Sequence, residues 1–162
     1  MIPSVESAPV IRRAEGQDAG ALAALLRALN TGPGLHPERI TAQGVTRDLI
    51  GDARVVVLVA EKAGMLRGFV SGHPCYDSGA SRWGFVMGDL YVAPEARRQG
   101  LGRALVAALA RAAAEDGGEF LWWDAGDGDA LALAFHRGIG ATEARTQSLL
   151  IEGGAFAELA QP

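Results

Sequence analysis

The sequence predicts a single α+β domain over residues 1–162, built as a mixed, strongly twisted sheet flanked by helices. Three observations support this. The chain has 162 residues, the size of one domain around one core. Residues 54–92 are rich in β-branched and aromatic side chains broken by short turns, the signature of antiparallel strands. From Gly102 onward, apolar residues recur at helical spacing on either side of one short strand, which gives the second half an α/β character.

The elements follow in order. Val10-Ile11-Arg12 is a short extended start. Over residues 17–30, Ala21, Leu22, Leu25, Leu26 and Leu29 form one apolar face of a helix, which Thr31-Gly32-Pro33-Gly34 ends. Residues 36–50 read as a second helix, with Pro37 in its first turn and Ile40, Val45, Leu49 and Ile50 as its apolar positions. Residues 54–61 carry Val55, Val56, Val57 and Val59. Ala63-Gly64 then turns the chain into a strand over 65–71, a hairpin. The polar run 77–81 is a further turn, so 83–92 is the next antiparallel strand, stopped by Pro94. Leu101, Leu105, Leu109 and Ala112 stripe a long helix over 102–116, ended by Gly117-Gly118. Phe120-Leu121-Trp122-Trp123 is a short buried strand, and Asp129 caps a helix that runs to about Gly138. A last strand is expected over 147–151 and a last short helix over 155–159.

Composition narrows the function classes. With 49% hydrophobic and 21% charged residues the chain suits a soluble globular protein, and 22 glycines imply many turns. The first ten residues hold neither a basic patch nor an apolar run, and no stretch has the roughly 18 apolar residues of a membrane span. With the single cysteine, Cys75, this gives the expectation of a cytoplasmic protein without membrane attachment. A formal charge of -4 argues against nucleic acid as a partner and suits a cationic amine.

The chemistry concentrates between Asp89 and Leu105, where a strand passes into a helix through Arg97-Arg98-Gln99-Gly100-Leu101-Gly102-Arg103. The first N–H groups of a helix lack internal partners and carry about half a positive charge, so they bind phosphate. Gly100 and Gly102 allow close approach, and the arginines add fork-shaped donors. A dinucleotide fingerprint is the rival, since Asp124 follows about twenty residues on. It fails because seven residues separate Val92 from Gly100 and Leu105 occupies the third glycine position.

Arg97-x-x-Gly100-x-Gly102, preceded by Leu90-Tyr91-Val92, resembles the acetyl-CoA signature of the GNAT acetyltransferases. Asp129, followed by Phe135-His136-Arg137-Gly138-Ile139-Gly140-Ala141, resembles the family's second motif. Val59-Ala60-Glu61, Gly68-Phe69-Val70 and Tyr76-Asp77 draw the likeness toward the spermidine/spermine N-acetyltransferase group. The resemblance implies a sheet splayed between strands 86–92 and 120–123 to admit acetyl-CoA, and direct acetyl transfer to a primary amine of a small molecule or peptide. Backbone groups of Leu90 and Val92 would hold the pantetheine arm, and the amides of Arg98, Gln99, Gly100, Leu101, Gly102 and Arg103 the pyrophosphate. Asp129 and Phe135 would lie beside the cofactor. A homodimer joined through 147–151 is also implied.

Two positions depart from the pattern. Gly88 stands where the group usually has Glu, and His136 where it has the Tyr that protonates the departing thiolate. Asp89, beside the missing acid, becomes a candidate to relay the amine's proton through water, and His136 a candidate acid or base. Gly88 could instead mark a bulge, with Asp89 bonding nearby backbone at the strand's bent centre. The competing class is a non-catalytic acyl-CoA binding or regulatory protein.

No metal is expected. Asp124, Asp127 and Asp129 hint at a calcium loop, but the twelfth position from Asp127 is Gly138 where a bidentate Glu belongs. His36 and His73 lack partners at ligand spacing, and Cys75 has no paired His motif. Trp122 and Trp123 read as packing residues, since no basic residues interleave them.

Overall fold

A computed structural model describes residues 8–126, 128–144 and 146–162. Residues 1–7, weighed above as a leader, and Asp127, weighed as a cation ligand, lie outside the described residues. The chain forms two compact units, the first ending at Asp124 and the second beginning at Ala125.

The first unit holds one sheet with strands in chain order: β1 (Val10–Arg13), β2 (Val56–Lys62), β3 (Met65–Asp77), β4 (Arg82–Val92) and β5 (Leu121–Trp122). The first three pairings are antiparallel and the last is parallel, so the sheet is mixed as expected. Lys62 pairs with Met65, and Ala63 and Gly64 between them take φ of 52° and 75°. Two left-handed residues in a two-residue loop make the primed turn that matches strand twist. At the next turn Asp77 Oδ1 accepts from the amides of Gly79 (3.0 Å) and Ala80 (3.2 Å). β3 runs six residues past its expected end at Ser71, to Asp77, because Tyr76 and Trp83 pair across the ladder, with ring centroids 5.2 Å apart.

Helices cover both faces. On one, α1 (Ala19–Leu29) buries Ala19, Leu22, Ala23 and Leu26 against Val57, Val59 and Phe69. On the other lies α3 (Leu101–Glu115), whose Leu105 and Leu109 are fully buried, each contributing roughly 1.5–3 kcal/mol. The approach is close: a Cβ on Gly68 or Gly72 of β3 would meet Leu105 Cδ1 at 3.2 Å or the Leu109 methyls at 3.1 Å. Arg12 ties the first face together, donating to both oxygens of buried Asp18 (2.7 and 2.9 Å) and to Glu61 Oε2 (2.7 Å). Its guanidinium holds the Asp18 carboxyl below the usual carboxylate range.

Three expectations need correction. Residues 36–50 do not form one helix: a 3-10 turn (Pro37–Arg39), α2 (Ala42–Val45) and a π turn (Thr46–Ile50) follow one another. Extended Ile40 breaks the run, and Thr41 Oγ1 starts a new helix by accepting from the Gly44 amide. The strand expected over 120–123 is reduced to Leu121–Trp122, and Trp122 is half exposed, because its ladder to β4 stops after two pairs. The strand expected over 147–151 is irregular chain with Leu149, Leu150 and Ile151 exposed. A strand exists only through pairing, and no described strand pairs with this segment.

The second unit contains α4 (Ala130–Gly138) and α5 (Gly153–Leu159). No helix among the described residues is long and apolar enough to cross a membrane.

Candidate active site

β4 leaves the sheet through a 3-10 turn, Pro94–Ala96, and enters α3 at Gly100. Gly100 adopts φ of 77°, a left-handed conformation that costs a glycine least, and Arg98 adopts φ of 60°. As the N-cap residue, Gly100 has no side chain with which to cap. The first internal bond runs from the Ala104 amide to the Gly100 carbonyl (3.0 Å), so the amides of Leu101, Gly102 and Arg103 precede the helical ladder. Arg98, Gln99 and Arg103 are exposed around this turn. Arg97 is anchored: its Nε donates to the Val92 carbonyl (2.9 Å) and its guanidinium carbon lies 5.7 Å from the centre of the Tyr91 ring. Gln99 Nε2 reaches the Glu95 carbonyl (3.3 Å). Arg97 folds the loop back on its own strand, and Gln99 ties it to the 3-10 turn.

Beside this turn, β4 has an unpaired edge. Its parallel ladder to β5 consists of Phe85 opposite Leu121 and Val86 opposite Trp122. From Met87 to Val92 no described strand pairs with β4 on that side. The Ala93 amide donates to the Arg67 carbonyl across the β3 side (2.8 Å). Since antiparallel strands alternate the direction of their backbone groups, Leu90 and Val92 direct theirs away from β3, into the opening. Arg97 meets the Val92 carbonyl from that direction.

The same strand carries a bulge. Ser71 pairs with Asp89 and Gly72 with Met87, so Gly88 is one residue more than β3 can match. A Cβ on Gly88 would lie 3.2 Å from Ser71 Oγ, so position 88 faces the side on which Ser71 and Asp89 meet. The Asp89 amide donates to Ser71 Oγ (3.1 Å), and Ser71 Oγ donates to Asp89 Oδ2 (3.1 Å). Alternation along β3 puts Ser71 on the Phe69 side of the sheet, the face of α1. Gly88 thus marks a bulge, and the Asp89 carboxylate is bonded locally, to the Ser71 hydroxyl and not to backbone. Ser71 went unnoticed in the sequence. The available signal was a hydroxyl inside the otherwise apolar and glycine run 68–72, a residue that the structure leaves only 6% exposed.

In the second unit, Asp129 caps α4 as expected, its Oδ1 accepting from the Ala132 amide (2.9 Å). Phe135 and His136 meet edge to face, centroids 5.3 Å apart. Burial holds the His136 imidazole below its ordinary value near 6.5, and the charge of Asp129 pulls it part of the way back. The Arg137 guanidinium pairs with Glu143 (2.7 Å). Of the remaining histidines, His36 sits 3.0 Å from Glu38 on the surface and His73 is exposed.

Known proteins resemble this arrangement. The acetyltransferase (GNAT) family profile matches residues 22–141. The uncharacterized N-acetyltransferase YhfO of Bacillus subtilis (strain 168) is 28% identical over 111 residues, covering 68% of this chain and 74% of that protein. Among solved structures, the aminoglycoside N-acetyltransferase AAC(6')-Iy in complex with CoA superposes with a TM-score of 0.79 at 19% identity, over 94% of this chain and 99% of that one. An integron cassette protein from the mobile metagenome of V. cholerae gives 0.77 at 21% identity, over 96% and 99%. Identities this low attest the fold alone. The family match is what covers the bulged strand, the arginine-glycine turn and the Asp129-capped helix together, and with it the chain belongs to the acetyltransferase (GNAT) family.

Proposed function

We propose that this GNAT N-acetyltransferase moves the acetyl group of acetyl-CoA onto a cationic primary amine by direct attack, with Asp89 taking up the amine's proton. The observation that carries the proposal is the uncapped start of α3 beside the unpaired edge of β4. Amides of residues 98–103 at a helix N-terminus suit a pyrophosphate, and the outward groups of Leu90 and Val92 suit the amide-bearing pantetheine arm. Arg97, already bonded to Val92, acts in this reading by fixing the turn and adding positive charge. Asp129 and Phe135 belong to the cofactor side through their motif positions. Residues 1–162 form one catalytic domain in this proposal, a reading supported by a family match that runs over residues 22–141.

The reaction begins with an ammonium that must lose a proton before its nitrogen can attack the thioester carbonyl. The tetrahedral oxyanion then collapses, the C–S bond breaks, and the thiolate takes a proton. A carboxylate at the bulge suits both the attraction of the cation and its deprotonation through water. The likeness to the spermidine/spermine group and the fold shared with aminoglycoside acetyltransferases favour one acceptor chemistry, an amine carrying several positive charges. The net charge of -4 suits it too.

His136 completes the proposal, through its position in the second motif. Because burial lowers its proton affinity, the neutral imidazole predominates at neutral pH, a form able to accept a proton. Charged by the proton that leaves the ammonium through Asp89 and water, it is a stronger acid than the phenol it replaces and passes that proton to the thiolate, which returns both residues to their starting forms.

Three outcomes are expected. Gly100→Val with Gly102→Val will weaken acetyl-CoA binding more than about 100-fold, by straining a left-handed residue and crowding the phosphate approach. Unchanged affinity by calorimetry would remove the turn from the cofactor site. His136→Phe will lower kcat about 100-fold near pH 7 with acetyl-CoA affinity nearly intact. This gap narrows as pH falls through the lowered value of His136, where the wild-type imidazole is already protonated. Wild-type kcat in the variant from pH 6 to 9 would take His136 out of the mechanism. Finally, two copies are expected to pair through the exposed Leu149-Leu150-Ile151 run, and sedimentation that finds only monomer at micromolar concentration counts against it.

A further inference from the structure

We propose that Ser71 is a positioning residue: it holds the Asp89 carboxylate in the orientation needed to move the acceptor's proton, and the absent side chain of Gly88 gives it the room. The inference rests on the reading that Asp89 handles that proton.

A hydroxyl has one hydrogen and two lone pairs. At Ser71 one lone pair receives the Asp89 amide (3.1 Å), which leaves the hydrogen directed at Asp89 Oδ2 (3.1 Å). One buried atom therefore grips the backbone and the side chain of the same residue. That restricts the rotation of the Asp89 side chain by tying one carboxylate oxygen to the strand that holds its own amide. Oδ2 is committed to Ser71, while Oδ1 has no hydrogen-bond partner among the described residues. Oδ1 is the atom left to accept a proton. Ser71 itself is 6% exposed and packs in the sheet, so the grip is not shared with bulk water.

The bulge makes this arrangement specific to glycine at position 88. Without the extra residue, Asp89 would not stand opposite Ser71 while Met87 stands opposite Gly72. With any side chain at 88, Cβ would sit 3.2 Å from Ser71 Oγ, and the hydroxyl would have to shift by a few tenths of an ångström. The resemblance places a Glu at this position. Its replacement by glycine, a neighbouring Asp and a buried Ser moves the carboxylate one residue along β4 and anchors it from β3.

A Ser71 that merely satisfied the bulge amide would affect stability, not turnover through Asp89. The two roles separate in a double-mutant cycle of Ser71→Ala, Asp89→Asn and the combined variant. The assay is thiol release from acetyl-CoA, using the best acceptor among spermidine, kanamycin, lysine and a peptide with a free N-terminus. The expected result is a roughly tenfold lower kcat for Ser71→Ala, the loss of one hydrogen bond to a charged group. The KM for acetyl-CoA stays unchanged, Ser71→Thr restores turnover, and the Asp89→Asn background shows no further loss. If Ser71→Ala folds poorly, Ser71→Cys, which keeps the volume with a weaker donor, is expected to show the same loss. Wild-type kcat in Ser71→Ala, or an equal loss in both backgrounds, overturns the role of Ser71 while leaving Asp89 in place. Wild-type kcat in Asp89→Asn overturns the Asp89 reading, and the Ser71 inference falls with it.

Discussion

Between Ser71 and Gly72 of β3 the facing strand carries one residue too many, and the surplus at Gly88 changes what β4 can do on either side of it. Below the bulge, Phe85 and Val86 pair with β5, and Phe85 and Met87 are buried. Above it, Asp89 meets the hydroxyl of Ser71, and Leu90 and Val92 have no described strand beyond them. Bulges bend a strand and sharpen its twist, which accounts for a parallel ladder that ends after two pairs. One extra residue thus yields both a presented carboxylate and an open backbone edge.

The opening would serve no cofactor without the turn that follows it. Pro94 stops the strand, and Gly100 supplies the left-handed residue that sends the chain into α3. Leu101, Leu105 and Leu109 anchor that helix to the sheet, where the glycines of β3 allow close contact. The packing therefore aims the helix N-terminus: the apolar stripe sets the direction of α3, and its first amides are left beside β4. In the proposed reading the cofactor is held largely through these backbone groups, so this relation matters more than any single side chain.

Much of this was legible in the sequence, for physical reasons that differ by element. The stripe from Leu101 to Leu109 and the Arg97-to-Gly102 turn are local patterns, and the structure forms the helix and the turn where those patterns lie. Ala63-Gly64 and Asp77 encode their turns with their own backbone preferences and hydrogen bonds. What sequence could not settle depends on partners. The 147–151 segment has strand-forming residues but no described strand to pair with, and 36–50 has helical spacing that Thr41 interrupts by capping locally. At the candidate site, Asp89 and His136 could be named from motif positions. The grip of Ser71 could not, since it joins residues eighteen apart through a register that only the bulge defines.

The central claim is that the unpaired edge of β4 receives acetyl-CoA through its backbone. Amide hydrogen exchange followed by NMR, with and without coenzyme A, tests it residue by residue. The account predicts that the Leu90 and Val92 amides exchange readily in the free protein and become strongly protected on binding, while Tyr91, directed at β3, is protected in both states. Coenzyme A that binds without changing exchange at Leu90 and Val92 would contradict it.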